Sequence, residues 1–242
     1  MPQPKSFYPK DLTDQSFKVL RQLVDIVPDG ILIGGWGTWV RKHGPTSHDI
    51  DLIVDHSGRD VIFALADDHS ESSHLGGIKW RAEVEGIHVD LYVPRRSRLG
   101  RELKLRVAPL AAYTEEIDGW RVLDVDAHAA TKLAALLDRP ESQPGEKDRS
   151  ELFALLPDMH PEAFAGRLIA TSDLTSEVLA AHIRLGFDYL KDISGLLRSD
   201  RTGIDRFAVA AAKCLVQADL SPSNTRASDK VEWQRGPARN RG

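Results

Sequence analysis

Cysteine is almost absent from this sequence, which holds a single one, Cys214, among 242 residues. One cysteine excludes an intramolecular disulfide framework and fits a chain that stays in a reducing compartment. Long apolar runs are missing as well, since no stretch of about 18 apolar residues and no apolar N-terminal segment occurs. We therefore expect a cytoplasmic protein with no membrane partner.

An overall excess of basic charge is missing too. The net charge is −4 and the isoelectric point is about 6.1, so the chain as a whole lacks the positive field typical of nucleic-acid-binding proteins. What the sequence does contain, 41% hydrophobic and 28% charged residues, is enough for the core of one moderate domain or two small ones.

The segment 31–54 carries the most informative pattern in the chain. Three apolar residues, 31–33, predict a short buried strand, and Gly34 and Gly35 follow, where the backbone can turn tightly and approach a ligand. A short amphipathic run comes next, and then a second strand that begins with Asp49 and Asp51. Alternate side chains of a strand share a face, so these two carboxylates are expected to project together.

A third aspartate lies in a later strand. The alternating segment 86–93 places Asp90 between Val89 and Leu91, which should face the core. Two or three carboxylates that are forced together repel one another, and a shared divalent cation is the simplest relief. A metal site of Asp49, Asp51 and Asp90 beside a glycine turn predicts phosphoryl or nucleotidyl transfer. The alternative is that these three carboxylates have only a structural role.

The diglycine followed by D-I-D and a later strand aspartate resembles the nucleotidyltransferase superfamily, which has the polymerase-beta-like fold. The run GGWGTWVRKHGPTSHDIDL is similar to aminoglycoside and lincosamide nucleotidyltransferases, but Thr46–Asp51 departs by one residue from their T-x-H-x-D-x-D spacing. The superfamily usually has a serine after its first glycine. Here Gly35 takes that place, so phosphate contact is expected from backbone N–H groups and from Thr38.

A second stretch resembles the AbiEii/MenT type of toxin nucleotidyltransferase. It reads VLDVDAHAATKLAALLDR and then EKDRSELFALL, a helix with one lysine followed by a K-D-x-x-(D/E)-L helix. The resemblance implies that Lys132 contacts the nucleotide phosphates, and that Asp148 holds this lysine or helps to activate the acceptor hydroxyl. A plain Lys132–Asp148 salt bridge between two helices is the alternative.

Together these resemblances imply an enzyme that moves a nucleoside monophosphate from an NTP to an acceptor hydroxyl, with Mg²⁺ or Mn²⁺ as cofactor. Asp90 would complete a second metal site or act as the base, and Lys132 and Arg41 would hold the charge of the departing pyrophosphate. The favoured acceptor is a tRNA 3′ end, modified by a toxin with a cognate antitoxin as possible partner. An antibiotic-modifying enzyme and a non-catalytic binding module remain as alternatives.

Basic charge is concentrated in one segment, 95–106, which holds six lysines and arginines and one glutamate. This segment directly follows the strand of Asp90. A triphosphate or an RNA backbone would be attracted there, although a solvated loop is an equally simple interpretation.

The expected fold class is α+β, a small mixed sheet with flanking helices and a C-terminal helical bundle. We expect a catalytic domain over 1–156, a helical region over 157–220, and a disordered basic tail over 221–242. Residues 1–10 are expected to form a loose arm and residues 69–74 a polar loop.

Overall fold

The computed structural model describes residues 7–220, with side chains as far as residue 218. The predicted basic tail, 221–242, lies outside the described residues. The strands are β1 (Ile31–Ile33), β2 (Ile50–Ile53), β3 (Asp68–His74), β4 (Gly77–Val84), β5 (Ile87–Tyr92), β6 (Arg98–Leu99), β7 (Leu105–Arg106), β8 (Thr114–Ile117) and β9 (Trp120–Leu123). The helices are α1 (Lys10–Ile26), α2 (Gly34–Lys42), α3 (His56–Leu65), α4 (Val107–Leu110), α5 (Val125–Asp138), α6 (Gln143–Leu155), α7 (Pro161–Thr171), α8 (Ser176–Leu190) and α9 (Arg198–Leu220).

The strands build a mixed seven-stranded sheet in the order β3-β4-β5-β2-β1-β9-β8. Strand β2 runs parallel to β5, and β1 runs parallel to β9, whereas the other neighbours in the sheet are antiparallel. The short β6 and β7 pair with each other outside this sheet. The predicted α+β class, a mixed sheet with flanking helices, is therefore confirmed.

Helices cover both faces of the sheet, because the central strands are apolar on both sides. Ile31 and Ile33 belong to the core that also holds residues of α5 to α9, whereas Leu32 and Leu52 belong to the core that holds residues of α1. This alternation follows from the period of two residues in a strand. The helices after residue 157 thus share one apolar core with α5.

One segment differs from its predicted structure, and a second, which the sequence left open, is ordered. Residues 69–74 form most of the edge strand β3 instead of a loop; both of its faces are exposed, so it lacks the apolar alternation that marks a strand. The basic segment 95–106 contains the β6–β7 pair, and Leu103 and Leu105 anchor it in the core. The segment 95–106 is therefore folded against the rest of the protein and is not a free loop.

None of the helices within residues 7–220 is both long enough and apolar enough to span a lipid bilayer.

We expect Gly186→Ala to destabilise the protein, because α8 crosses α5 at this glycine. An added methyl group would overlap Cδ1 of Leu133, a fully buried side chain that would have to shift within the core. Overpacking of this kind costs about 1–3 kcal/mol of unfolding free energy, which urea unfolding would measure. Gly166→Ala in α7 is the matched control, because a methyl group there meets nothing within 4 Å. Equal stability of the two variants would contradict this packing.

Candidate active site

The site is built around the turn between β1 and α2. Gly34 has a φ of +65°, and a methyl group on it would overlap the Asp51 carboxylate. A methyl group on Gly35 would lie 2.5 Å from Nζ of Lys147 and 2.6 Å from Oγ of Ser47. Both glycines are therefore needed, since charged side chains pack directly onto the backbone. The turn also opens α2, whose first N–H groups have no partner within the helix and favour an anion.

A histidine that was not predicted from the sequence holds this turn from behind. His128 of α5 is fully buried, and its Nε2 lies 3.1 Å from the carbonyl oxygen of Gly34. Burial, together with the charges of Lys132 and Arg41, lowers the pKa of His128 to about 3. The ring is therefore neutral at pH 7, and Nε2–H donates to the Gly34 carbonyl. Its role is to position the glycine turn.

The three aspartates converge at the end of the sheet next to the turn. In the strand register Asp51 stands opposite Ile33 on one side and opposite Asp90 on the other, and Asp49 directly precedes β2. Burial, then the charges of Asp49 and Asp90, raise the pKa of Asp51 to about 7. Burial is the largest cause of this shift, and repulsion from the two neighbouring carboxylates adds to it.

Asp49 is held by a short relay. Lys147 of α6 donates to Oγ of Ser47 at 2.8 Å, and that hydroxyl donates to Oδ1 of Asp49 at 2.8 Å. Burial would raise the pKa of Asp49, but the charge of His48, the Ser47 hydrogen bond and the charge of Lys147 hold it below its usual value. Asp49 is therefore ionised at neutral pH.

Asp90 already has two cationic partners. Arg81 donates to both of its carboxylate oxygens, at 2.7 and 3.0 Å, and Nζ of Lys79 lies 2.5 Å from Oδ2. Over residues 7–220, no three or more His, Cys, Asp or Glu side chains are grouped so that they could hold a metal ion. The predicted metal site of Asp49, Asp51 and Asp90 is therefore not formed as a set of three ligands, although the three residues are neighbours, and Asp90 is instead paired with Arg81 and Lys79.

The remaining pair of carboxylates still fits a divalent metal that arrives with a nucleotide. Mg²⁺ is usually bound in proteins by one or two carboxylates together with substrate phosphates. Asp49 and Asp51 supply such a pair, and the raised pKa of Asp51 is the kind of charge conflict that a cation would relieve.

Behind the aspartates, α5 and α6 enclose a buried network of ions. Nζ of Lys132 lies 2.5 Å from Glu151 and 3.6 Å from Asp148, and Arg139 contacts Asp148 at 2.8 Å. Burial lowers the pKa of Lys132, but Glu151 and Asp148 more than reverse this effect, so the lysine is charged. Its charge in turn lowers the pKa of Asp51. The two predicted residues Lys132 and Asp148 are thus in contact beside the aspartates.

Thr38 and Arg41, which were predicted to contact the nucleotide, contact other groups of the protein. Thr38 is buried, and its hydroxyl donates to the Gly34 carbonyl at 3.3 Å, so it serves the turn itself. Arg41 donates to the Leu123 carbonyl at 2.6 Å and pairs with Glu115 at 2.8 Å. The present geometry supports neither the predicted phosphate contact of Thr38 nor the pyrophosphate contact of Arg41, because tertiary contacts take up both groups.

Sequence reasoning also missed a residue of the expected loose arm. The ring of Tyr8 lies 4.0 Å from the ring of His48, and Nζ of Lys147 lies over it at 5.1 Å. Burial, then the charge of Asp49, raise the pKa of Tyr8. The N-terminal segment therefore borders the site, next to Asp49.

No family profile matches the sequence, and no curated protein matches it. Among solved structures, JHP933 from Helicobacter pylori is 16% identical, with a TM-score of 0.44 over 88% of this chain and 96% of that chain. TM1012 from Thermotoga maritima, described as a candidate nucleotidyltransferase, is 19% identical, with a TM-score of 0.40 over 57% and 93%. An antigenic nucleotidyltransferase-like protein from Paracoccidioides brasiliensis is 17% identical, with a TM-score of 0.41 over 78% and 95%. At these scores the likenesses transfer neither an activity nor a residue role to this chain.

We expect His128 to contribute to loss of stability in acid. Its pKa is about 3 in the folded state and about 6.5 when unfolded, so only the unfolded chain takes up this proton between those values. Its contribution is therefore complete above pH 6.5 and falls as the pH drops, by up to about 1.4 kcal/mol per pH unit.

The unfolding free energy, measured by urea unfolding at several values between pH 4.5 and 7.5, should therefore depend less steeply on pH for His128→Gln than for the unchanged protein. His56→Gln, at an exposed histidine of α3, is the control and should keep the original slope. An unaltered slope in the His128 variant would show that this ring is not held neutral by burial.

Proposed function

We propose that the protein is a metal-dependent nucleotidyltransferase that moves a nucleoside monophosphate from an NTP to an acceptor hydroxyl. One observation carries the proposal: two carboxylates, Asp49 and Asp51, adjoin a diglycine turn that opens a helix. The turn offers N–H groups to phosphates, and the carboxylates offer oxygens to a divalent cation. The raised pKa of Asp51 supports this reading, because a purely structural site gains nothing from opposed like charges.

The phosphates are held by this chain's own backbone and cations. The first N–H groups of α2 bind the β- and γ-phosphates. Lys147 is a cation next to this turn, because its Nζ lies close to Gly35. Lys147 therefore replaces Arg41 as the side chain expected to offset the charge of departing pyrophosphate. Lys132 acts from behind, through its charge on Asp51. Such fixed charges stabilise a transition state without reorganisation at the moment of reaction.

Bound Mg²⁺ or Mn²⁺, held by Asp49 and Asp51, would supply positive charge to the phosphates. In the transfer itself the acceptor oxygen forms a bond to the α-phosphorus, the bond to the bridging oxygen breaks, and pyrophosphate leaves. The acceptor proton passes to a carboxylate. Asp90, the base suggested by the sequence, is paired with Arg81 and Lys79 in this structure.

A polyanionic acceptor, with a tRNA 3′ end as the leading candidate, fits two sets of basic groups, one that contacts Asp90 and one in the segment that follows β5. Arg96, Arg101 and Lys104 are exposed on the basic segment 95–106, which follows β5. Arg81, at the edge of the site, is about half exposed. A cationic aminoglycoside would meet repulsion from these groups. The toxin assignment and a cognate antitoxin follow from the resemblance of the Lys132 and Asp148 segments, and remain part of the proposal.

Asp49→Asn should abolish transfer of label from an α-labelled NTP, because it removes a carboxylate that no neighbour replaces. We expect the rate to fall at least about a hundredfold, as for other losses of charge at a metal site. Melting temperature should change little, since Asp49 is partly exposed. Asp60→Asn, an exposed carboxylate on α3, is the matched control. Retained transfer by the Asp49 variant would remove this carboxylate from the chemistry.

Total tRNA, an aminoglycoside and a lincosamide, offered together with each labelled NTP, should yield labelled RNA. The double variant Arg96→Gln/Lys104→Gln should raise the RNA concentration for half-maximal rate by on the order of tenfold at low salt, since two phosphate contacts are lost. Arg206→Gln/Lys213→Gln, on the exposed face of α9, removes the same charge as a control. Label in an antibiotic alone would replace the tRNA assignment by antibiotic modification.

A further inference from the structure

Strand β4 places two cations on the face of the sheet that carries the candidate site. Lys79 and Arg81 are two residues apart and therefore share a face, and Arg81 stands directly opposite Asp90 in the strand register. Lys79 also passes the ring of Tyr92, with Nζ 5.7 Å from its centre. Both side chains reach the same carboxylate from one neighbouring strand.

The positive charge that contacts Asp90 exceeds the single negative charge of its carboxylate. Its side chain is 5% exposed, and it meets a bidentate guanidinium and an ammonium group at once. One carboxylate and two cations leave one positive charge over, next to Asp51, which stands opposite Asp90 in the strand register. The two β4 cations thus place a charge of +2 among the aspartates, the same charge that a divalent ion would bring.

We propose that Lys79 and Arg81 are internal counter-ions that a divalent cation has to displace from Asp90, so that this pair sets the affinity of the site for metal. This inference rests on the proposed nucleotidyltransferase function, which supplies the reason for a metal. Arg81 has room to leave, because 47% of its side chain is exposed, whereas Asp90 is fixed in the middle of β5.

Displacement leaves two cations beside the place where the phosphates bind. A guanidinium group pairs with phosphate as readily as with carboxylate, so the released Arg81 gains a new partner only when a nucleotide is present. Metal alone should therefore bind weakly and metal with nucleotide more tightly. The exchange of partners would keep free metal ions out of a site that has no substrate.

Titration with Mn²⁺ alone, followed by the electron paramagnetic resonance signal of free Mn²⁺, tests the competition directly. Arg81→Gln should bind Mn²⁺ about tenfold more tightly than the unchanged protein, which is ~1.4 kcal/mol, and Lys79→Gln should shift it in the same direction. Each single variant keeps one cation on Asp90, so the buried carboxylate is not left unpaired. Thermal unfolding checks that the variants are folded.

Two further variants isolate the cause. In an Asp90→Asn background, Arg81→Gln should no longer alter Mn²⁺ affinity, because there is no carboxylate left to release. Arg59→Gln removes an arginine that lies over the Trp80 ring, 5.2 Å from its centre, on the opposite face of β4. It lowers the net charge equally and should leave Mn²⁺ affinity unchanged.

The inference is overturned if Arg81→Gln binds Mn²⁺ no more tightly than the unchanged protein, or if Arg59→Gln produces the same gain. NTP transfer by the unchanged protein separates this failure from that of the proposed function. Persisting transfer with no gain in the Arg81 variant removes only the role of the β4 pair. Absence of both transfer and Mn²⁺ binding removes the inference and the nucleotidyltransferase proposal together.

Discussion

The charge of Lys132, buried between α5 and α6, is the constraint on which the rest of the site depends. A buried ammonium group is tolerated only with partners of opposite charge, and loss of one partner of such a pair typically costs about 3–5 kcal/mol. Glu151, which is fully buried, and Asp148 supply these partners, and Arg139 completes the balance at Asp148. The two helices are thereby fixed in register against each other.

That register places the two helices on either side of the glycine turn. From α5, His128 donates to the Gly34 carbonyl, and from α6, Lys147 reaches Asp49 through Ser47. The carboxylate of Asp51 lies directly on Gly34. Direct contacts therefore connect the turn, the aspartates and the ion network into one unit. A site that has to hold a polyphosphate in a defined position needs such rigidity in its supporting residues.

Much of this unit was predictable because it follows from local patterns. The apolar triplet, the diglycine and the D-x-D spacing predicted β1, the turn and β2, and strand alternation predicted that Asp90 would lie near Asp51. Two further contacts also had signals in the sequence. Lys79 and Arg81, which both contact Asp90, are two residues apart in a strand, and Lys147, whose Nζ lies 3.7 Å from Glu151, is four residues from it in a helix. Such spacings do not identify a site by themselves, because charged residues placed in this way usually lie on solvated surfaces.

The rest depends on contacts between distant segments. Whether Arg41 faces a nucleotide or the Leu123 carbonyl is decided by the position of β9, about eighty residues further on. The same holds for His128, which can donate to the Gly34 carbonyl only when α5 lies against α2. The edge strand β3 pairs through its backbone and carries polar side chains on both faces, so no apolar periodicity marked it.

The most direct test of the central claim is equilibrium binding of an NTP analogue that cannot be cleaved between its α- and β-phosphates, measured with and without Mg²⁺. The account predicts that the unchanged protein binds the analogue much more tightly with Mg²⁺ than without it. Asp51→Asn should lose most of that difference while still binding the metal-free analogue. Equal affinity with and without Mg²⁺, or an undiminished Mg²⁺ effect in the Asp51 variant, would contradict a nucleotide and metal site at the glycine turn.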